Sequence, residues 1–357
     1  MSVPRSRPGL LLILLIFAWA VAWPAIKIGV SDVPPIWYAC LRYGIATVCL
    51  FGVAVRRGVA WPSAQDRRLV AVSGTLQMAA YSALAGLAST RLPAGRASVL
   101  AFSTPLWVVP LAAWRLRERL SLRAGIGVVL GLAGVLAIAA PALRADGAGG
   151  RLAYALLLAA SAAWAISIVW VRAHRFGAPA LALAPWQTLV AAALLGPLAW
   201  MVEGRLPPIG WPGVASLAYV GPVATAFAYW AVVEAGRRYP AGTLAMALLA
   251  TPALGLMISA LTLGESVDAP LLVGIVLVGV GIRLATMAGV PPGCRLPFRS
   301  MSFAARFHRL RSQPRDPPST LVALHGVAVI DGGSRCRPRG LDSAAPLGSL
   351  FFGDVNA

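Results

Sequence analysis

Along most of this chain apolar positions do not alternate with polar ones; they run on. Stretches of about 18 or more apolar residues recur, each the length an α-helix needs to cross roughly 30 Å of hydrocarbon. Short segments of Arg, Pro, Gly and Glu separate them. The pattern predicts helices near Gly9–Ile28, Pro34–Val55, Leu69–Thr90, Pro93–Trp114 and Leu122–Ala140, then near Leu152–Val171, Ala180–Val202, Val214–Ala235, Pro240–Leu263 and Ala269–Met287. Five lie on each side of Pro141–Arg151, the longest polar, Gly-rich joint before residue 288. The first stretch carries Arg5 and Arg7 ahead of Ala18-Trp19-Ala20, the pattern of a cleavable leader. The same triplet returns mid-chain as Ala163-Trp164-Ala165, so the stretch is expected to stay as the first helix.

The two halves repeat. Residues 91–134 and 238–281 align without a gap at a shift of 147, with 13 of 44 positions identical. Shared Ala and Leu are common in so apolar a chain; the weight rests on Pro93/Pro240, Gly95/Gly242, Thr104-Pro105/Thr251-Pro252, Glu118/Glu265 and Gly127/Gly274. A repeat decides architecture before any single element does. Five spans per unit is an odd number, so the second unit enters the membrane from the opposite side, which makes the repeats inverted. The expected fold is an all-α integral membrane protein of ten transmembrane helices in two inverted five-helix repeats. The first repeat covers residues 1–140, a linker 141–151 and the second repeat 152–288. A disordered basic cytoplasmic tail covers 289–357, rich in Pro, Arg and Ser without helical period.

Composition sharpens this picture at two points. The chain is 59% hydrophobic and 12% charged, far more apolar than a soluble domain. Its net charge of +19 invites a nucleic-acid reading, but the placement of the charge explains most of it. With the N-terminus inside, segments on that side hold 14 Arg and those outside 6 Arg or Lys, with nine further Arg in the tail. That is the positive-inside bias; it sets both termini in the cytoplasm and makes nucleic acid an unexpected partner. Lys27 is the only lysine, which with abundant Ala points to a GC-rich bacterial genome and an inner membrane. Cys40, Cys49, Cys294 and Cys336 make no ligand spacing with the three His, and no phosphate loop or nucleophile–base pair is present. No metal, cofactor or enzymatic role is expected.

Candidate chemistry sits inside the spans. Pro105 and Pro252 fall midway along equivalent helices, each removing a backbone bond and leaving the Ala101 and Leu248 carbonyls short. At membrane depth such groups need protein or a wet cavity, so Thr104-Pro105 and Thr251-Pro252 mark either a substrate path or an ordinary packing kink. Arg42 is the charge well inside a span, with Gln187 as its neutral counterpart. It either faces a cavity, where it suits a carboxylate or phosphate, or snorkels to headgroups. Trp19, Trp23, Gln77, Tyr81, Trp164 and Tyr229 either line a pocket or serve as belt and core residues. Glu118 and Glu265 precede the cap-type residues Ser121 and Asp268 and read as structural. The Gly-rich faces of the fifth and tenth helices read as packing surfaces.

AWAVAWPAIKIG in helix one, Arg42, Pro93-Ala-Gly with Thr104-Pro105, Arg117-Glu118-Arg119-Leu120-Ser121 and the Gly-rich fifth helix together resemble an EamA-type member of the drug/metabolite transporter superfamily. The resemblance covers about residues 8–288; Arg56-Arg57, the basic loop around Glu118 and the tail depart from the pattern. It implies a central cavity built from helices 1–4 and 6–9, with helices 5 and 10 to the side as homodimer contacts. It also implies export of amino acids, other metabolites or toxic compounds. The expected partners are a small-molecule substrate and membrane lipids. The expected function is a secondary transporter exporting a small amino acid-like or amphipathic, aromatic metabolite by alternating access. The alternatives are a non-transporting scaffold or receptor, or a lipid-headgroup or nucleotide-sugar translocator.

Overall fold

The computed structural model describes residues 8–55, 61–117, 121–144, 148–174, 177–178, 180–239, 244 and 247–287. Among them every regular element is helical: α1 (Pro8–Asp32), α2 (Pro35–Val55), α3 (Ala64–Ser89), α4 (Ala94–Arg115), α5 (Leu122–Arg144), α6 (Ala148–His174), α7 (Ala180–Glu203), α8 (residues 211–238), α9 (Ala250–Leu263) and α10 (Ala269–Met287). Eight are long and apolar enough to cross a membrane, and α9 and α10 are shorter apolar helices. The protein is therefore an all-α, multi-pass membrane protein. The start of the expected ninth span (240–243, 245–246), Glu118 and the tail lie outside the described residues. The joint expected over 141–151 is largely helical instead: α5 runs through Pro141, and α6 already begins at Ala148. Proline costs a helix one backbone bond without always ending it.

The repeat of the sequence is a repeat of the backbone, down to its irregularities. α3 carries a π-helical segment at Ser73–Ala80 and α8 carries one at Val220–Phe227, 147 residues on. α4 breaks at Phe102-Ser103, and the equivalent Leu249 is the turn residue before α9. Equivalent helices run antiparallel. A Cβ at Gly127 would meet the Ala285 amide nitrogen at 2.5 Å, and one at Gly134 would meet the Gly274 carbonyl at 2.7 Å. Numbers thus rise along α5 as they fall along α10. In the same way Cys40 of α2 meets Ala192 of α7, and Thr47 meets Thr188. Equivalent helices antiparallel to each other can only come from inverted repeats. The packing obeys the same exchange: α1 lies on α8 and α9, as α6 lies on α3 and α4.

Most of the Gly-rich stripe packs within the chain. Gly127, Gly131, Gly134, Gly274 and Gly281 bring α5 and α10 into backbone contact, whereas Gly125 and Gly279 face open space. Outward faces are apolar, with Ile13 and Phe17 on α1, Val129 and Leu136 on α5, and Met201 on α7 exposed, as a lipid-facing girdle requires.

Carboxylates join the halves at the helix ends. Asp32 accepts from the Gly213 amide of α8, Glu203 from the Ile36 and Trp37 amides of α2, and Glu265 from the Ala94 and Gly95 amides of α4 at 2.5 and 2.8 Å. Helix N-termini leave amides unpaired and favour negative charge, and hydrogen bonds to a charged group contribute about 1.5–3 kcal/mol each. Glu265 therefore serves the first turn of α4 in the other repeat rather than that of α10, whose cap is Asp268. Ser121 caps α5 in the same way. All three clamps lie on the face where α1 ends. On the face where α1 begins, buried Asp66 accepts from the Gly177 amide.

Candidate substrate cavity

Between the repeats lies a cavity of about 160 Å³. Residues of α1, α2, α3 and α4 line it with residues of α6 and α8, so both repeats contribute walls. Both π-segments reach it, α3 through Gln77 and Met78, α8 through Val220, Ala224 and Thr225. A π-turn leaves carbonyls off the regular ladder and recurs at functional sites. The cavity extends from Trp19, midway along α1, to Pro35 and Ser89 at the ends of α2 and α3. Its lining therefore runs from mid-helix toward the Asp32 face.

The wall is aromatic with polar inserts. The Trp19 indole N–H donates to the Ala224 carbonyl of the α8 π-segment at 3.2 Å. Its counterpart Trp164 stands edge-on to Tyr81, with centroids 4.9 Å apart, and its buried N–H has no partner. The Tyr229 hydroxyl donates to Gln187 Oε1 at 2.7 Å, which commits its proton. Tyr38 is likewise occupied, because Ser216 donates to the Ala25 carbonyl and so receives the Tyr38 proton. Arg42 donates to Tyr43 Oη at 3.1 Å, its guanidinium lies 4.8 Å from that ring's centroid, and Tyr43 Oη in turn meets Ser82 Oγ at 2.9 Å.

Seven of the residues singled out from sequence meet at this cavity: Trp19, Trp23, Arg42, Gln77, Tyr81, Trp164 and Tyr229. Gln187 is buried behind it and reaches it only through Tyr229. Thr104, Pro105, Thr251 and Pro252 do not line it; all four are buried in the packed helices. The carbonyls around the α4 break are met by protein instead of by a cavity. Thr104 Oγ1 donates to the Ala101 carbonyl at 2.8 Å, and Ser103 and Ser161 both donate to the Leu100 carbonyl. What the break brings to the cavity is Phe102.

Similarity to known proteins agrees with this architecture. The EamA-like transporter family matches residues 7–140 and 151–287. The chain belongs to this family. A probable amino-acid metabolite efflux pump of Escherichia coli K12 is 27% identical over 291 residues, covering 78% of this chain and 94% of the relative. A probable terminal-alkyne amino-acid exporter of Streptantibioticus cattleyicolor is 30% identical over 288 residues, covering 76% and 91%. A protein of known crystal structure shares the fold at 24% identity with a TM-score of 0.55, over 79% of this chain and 97% of that one.

In this EamA-like chain the cavity's polar lining comes mainly from α2, with Tyr38, Arg42 and Tyr43, and from α3, with Gln77, Tyr81, Ser82 and Ser89. Sequence reasoning missed Tyr38 and Tyr43, although Tyr38 lies one helical turn before Arg42 on the same face. It also missed the π-segments. The signal was there: Gly74 and Gly221 open the two segments at the shift of 147, and a Cβ on either would meet Val190 or Ile45 at 2.8 or 2.7 Å. Arg96, inside the helix expected from Pro93, is buried in α4 and paired with Asp268.

Proposed function

We propose that this transporter exports a small amphipathic metabolite, amino acid-like or with an aromatic body, by rocking its two repeats about the shared cavity. The observation that carries the reading is one aromatic-walled cavity formed jointly by two inverted repeats, with a π-segment from each at its wall. Inverted repeats have two related arrangements, and exchanging them moves the opening from one face to the other. The relatives, a probable amino-acid metabolite efflux pump and a probable terminal-alkyne amino-acid exporter, support the direction and the substrate size. The Arg bias supports cytoplasmic termini in a bacterial inner membrane, which makes the Asp32 face the outer one.

Untargeted comparison of the medium around overexpressing and deletion strains tests the proposal. One or a few low-molecular-weight compounds should accumulate outside only in the overexpressing strain. Identical media from cells with correctly inserted protein would contradict it.

A further inference from the structure

The structure carries a narrower statement about what the cavity reads, and this statement rests on the transport reading above. Among the described residues Arg42 is the single charged side chain in the wall, and no Asp, Glu or His lines it. Two other cations inside the helix bundle have partners. Arg96 pairs with Asp268 and also donates to the Ile138 carbonyl, and Lys27 donates to the Ser89 and Leu92 carbonyls at 2.6 and 2.9 Å. Arg42 has one neutral partner, the Tyr43 hydroxyl; its Nε is buried without a partner, and no described carboxylate pairs with it. A guanidinium held in low dielectric without an anion is costly and is retained where an anion arrives to meet it. Its planar fork matches two carboxylate oxygens.

The opposite requirement is missing. A substrate ammonium would meet no carboxylate among the described lining residues, and Arg42 repels it. The aromatic faces that attract a cation elsewhere here enclose a site already positive. The size agrees with a single ring, since an apolar cavity of roughly 150 Å³ admits benzene and this one measures about 160 Å³. We propose that the cavity selects small monoanions, a carboxylate carried on a flat apolar or aromatic body, through Arg42, and that it does not read an amine.

The test is binding to the purified full-length protein in nanodiscs, followed by the intrinsic fluorescence of the cavity tryptophans. Phenylacetate should bind at least tenfold more tightly than phenethylamine, and phenylalanine no more tightly than phenylacetate. Arg42→Gln should weaken phenylacetate at least tenfold and leave neutral 2-phenylethanol within twofold; Arg42→Lys should recover part of the loss. A preference for phenethylamine, equal affinity for all probes, binding of none of them, or an unchanged Arg42→Gln would overturn the inference. The ranking on the wild-type protein needs no variant, so it decides even where Arg42→Gln fails to fold. If phenylacetate binds and proteoliposomes move no solute, the transport reading fails and the anion site stands. If they move amines and not acids, the reverse holds.

Discussion

The two repeats share a backbone and differ in how their polar groups are met. In α1 Trp19 gives its N–H to the π-segment of α8, whereas its counterpart in α6, Trp164, has a buried N–H with no partner. At the shift of 147 that relates the two π-segments, the carbonyl equivalent to that of Ala224 is that of Gln77 in α3, beside the same cavity. The helix breaks differ likewise. Thr104 donates to the Ala101 carbonyl, while the Thr251 hydroxyl is buried and unpartnered. A buried unsatisfied donor costs about 1–3 kcal/mol, so equal scaffolds have been left with unequal internal bonding. An inverted repeat explains how both arrangements come from one unit: one copy rests where its groups are met, the other where they are not. On this account the cavity sits in one of two related states.

Breaking the common frame should have the largest effect. A Cβ at Gly281 would stand 2.5 Å from the Gly131 amide nitrogen and 2.6 Å from the Gly127 carbonyl, and backbone cannot step aside. Gly281→Val should lose at least about 3 kcal/mol and show no cooperative thermal unfolding in detergent. Gly279→Val, where a Cβ meets nothing within 4 Å, should unfold like the wild type. Next comes the clamp between repeats. Glu265→Ala leaves two α4 amides bare and should cost about 3 kcal/mol, read as a drop in thermal midpoint. Glu265→Gln, which keeps one acceptor oxygen, should cost about half of that.

The tryptophan pair sharpens the comparison directly. Trp19→Phe and Trp164→Phe remove the same volume, so their difference isolates the N–H. Trp19→Phe should be the less stable of the two by about 2 kcal/mol, since it gives up a made bond while Trp164→Phe gives up an unmet donor. Equal losses in the two midpoints would remove the asymmetry from the account. The smallest effect belongs to the threonines. Thr104→Val should cost about 1 kcal/mol and Thr251→Val should be neutral or stabilising, by the same measurement.

Which of these features was legible in the sequence follows from their physics. Apolar length and a fixed shift are written residue by residue, so the ten helices, their inversion and the packing role of the Gly-rich faces could be read, though not that α5 and α10 pack on each other. Arg42 and the aromatic residues were legible because a charge or a ring inside a span is rare enough to count. Partners were not, because a hydrogen bond joins residues far apart in the chain. Glu265 looked like a cap for the helix after it and caps one 170 residues earlier. Thr104-Pro105 looked like the cavity wall because proline frees a carbonyl, and nothing in the order of residues shows that the adjacent hydroxyl takes it up.

Alternation of access at one position is the most direct test of the central claim. Thr225 lines the cavity within the α8 π-segment. In a background without native cysteines, Thr225→Cys should react with an impermeant thiol reagent applied to either face of oriented proteoliposomes, and a transported solute should shift the ratio between faces. Labelling from one face only, whatever solute is present, would contradict the account.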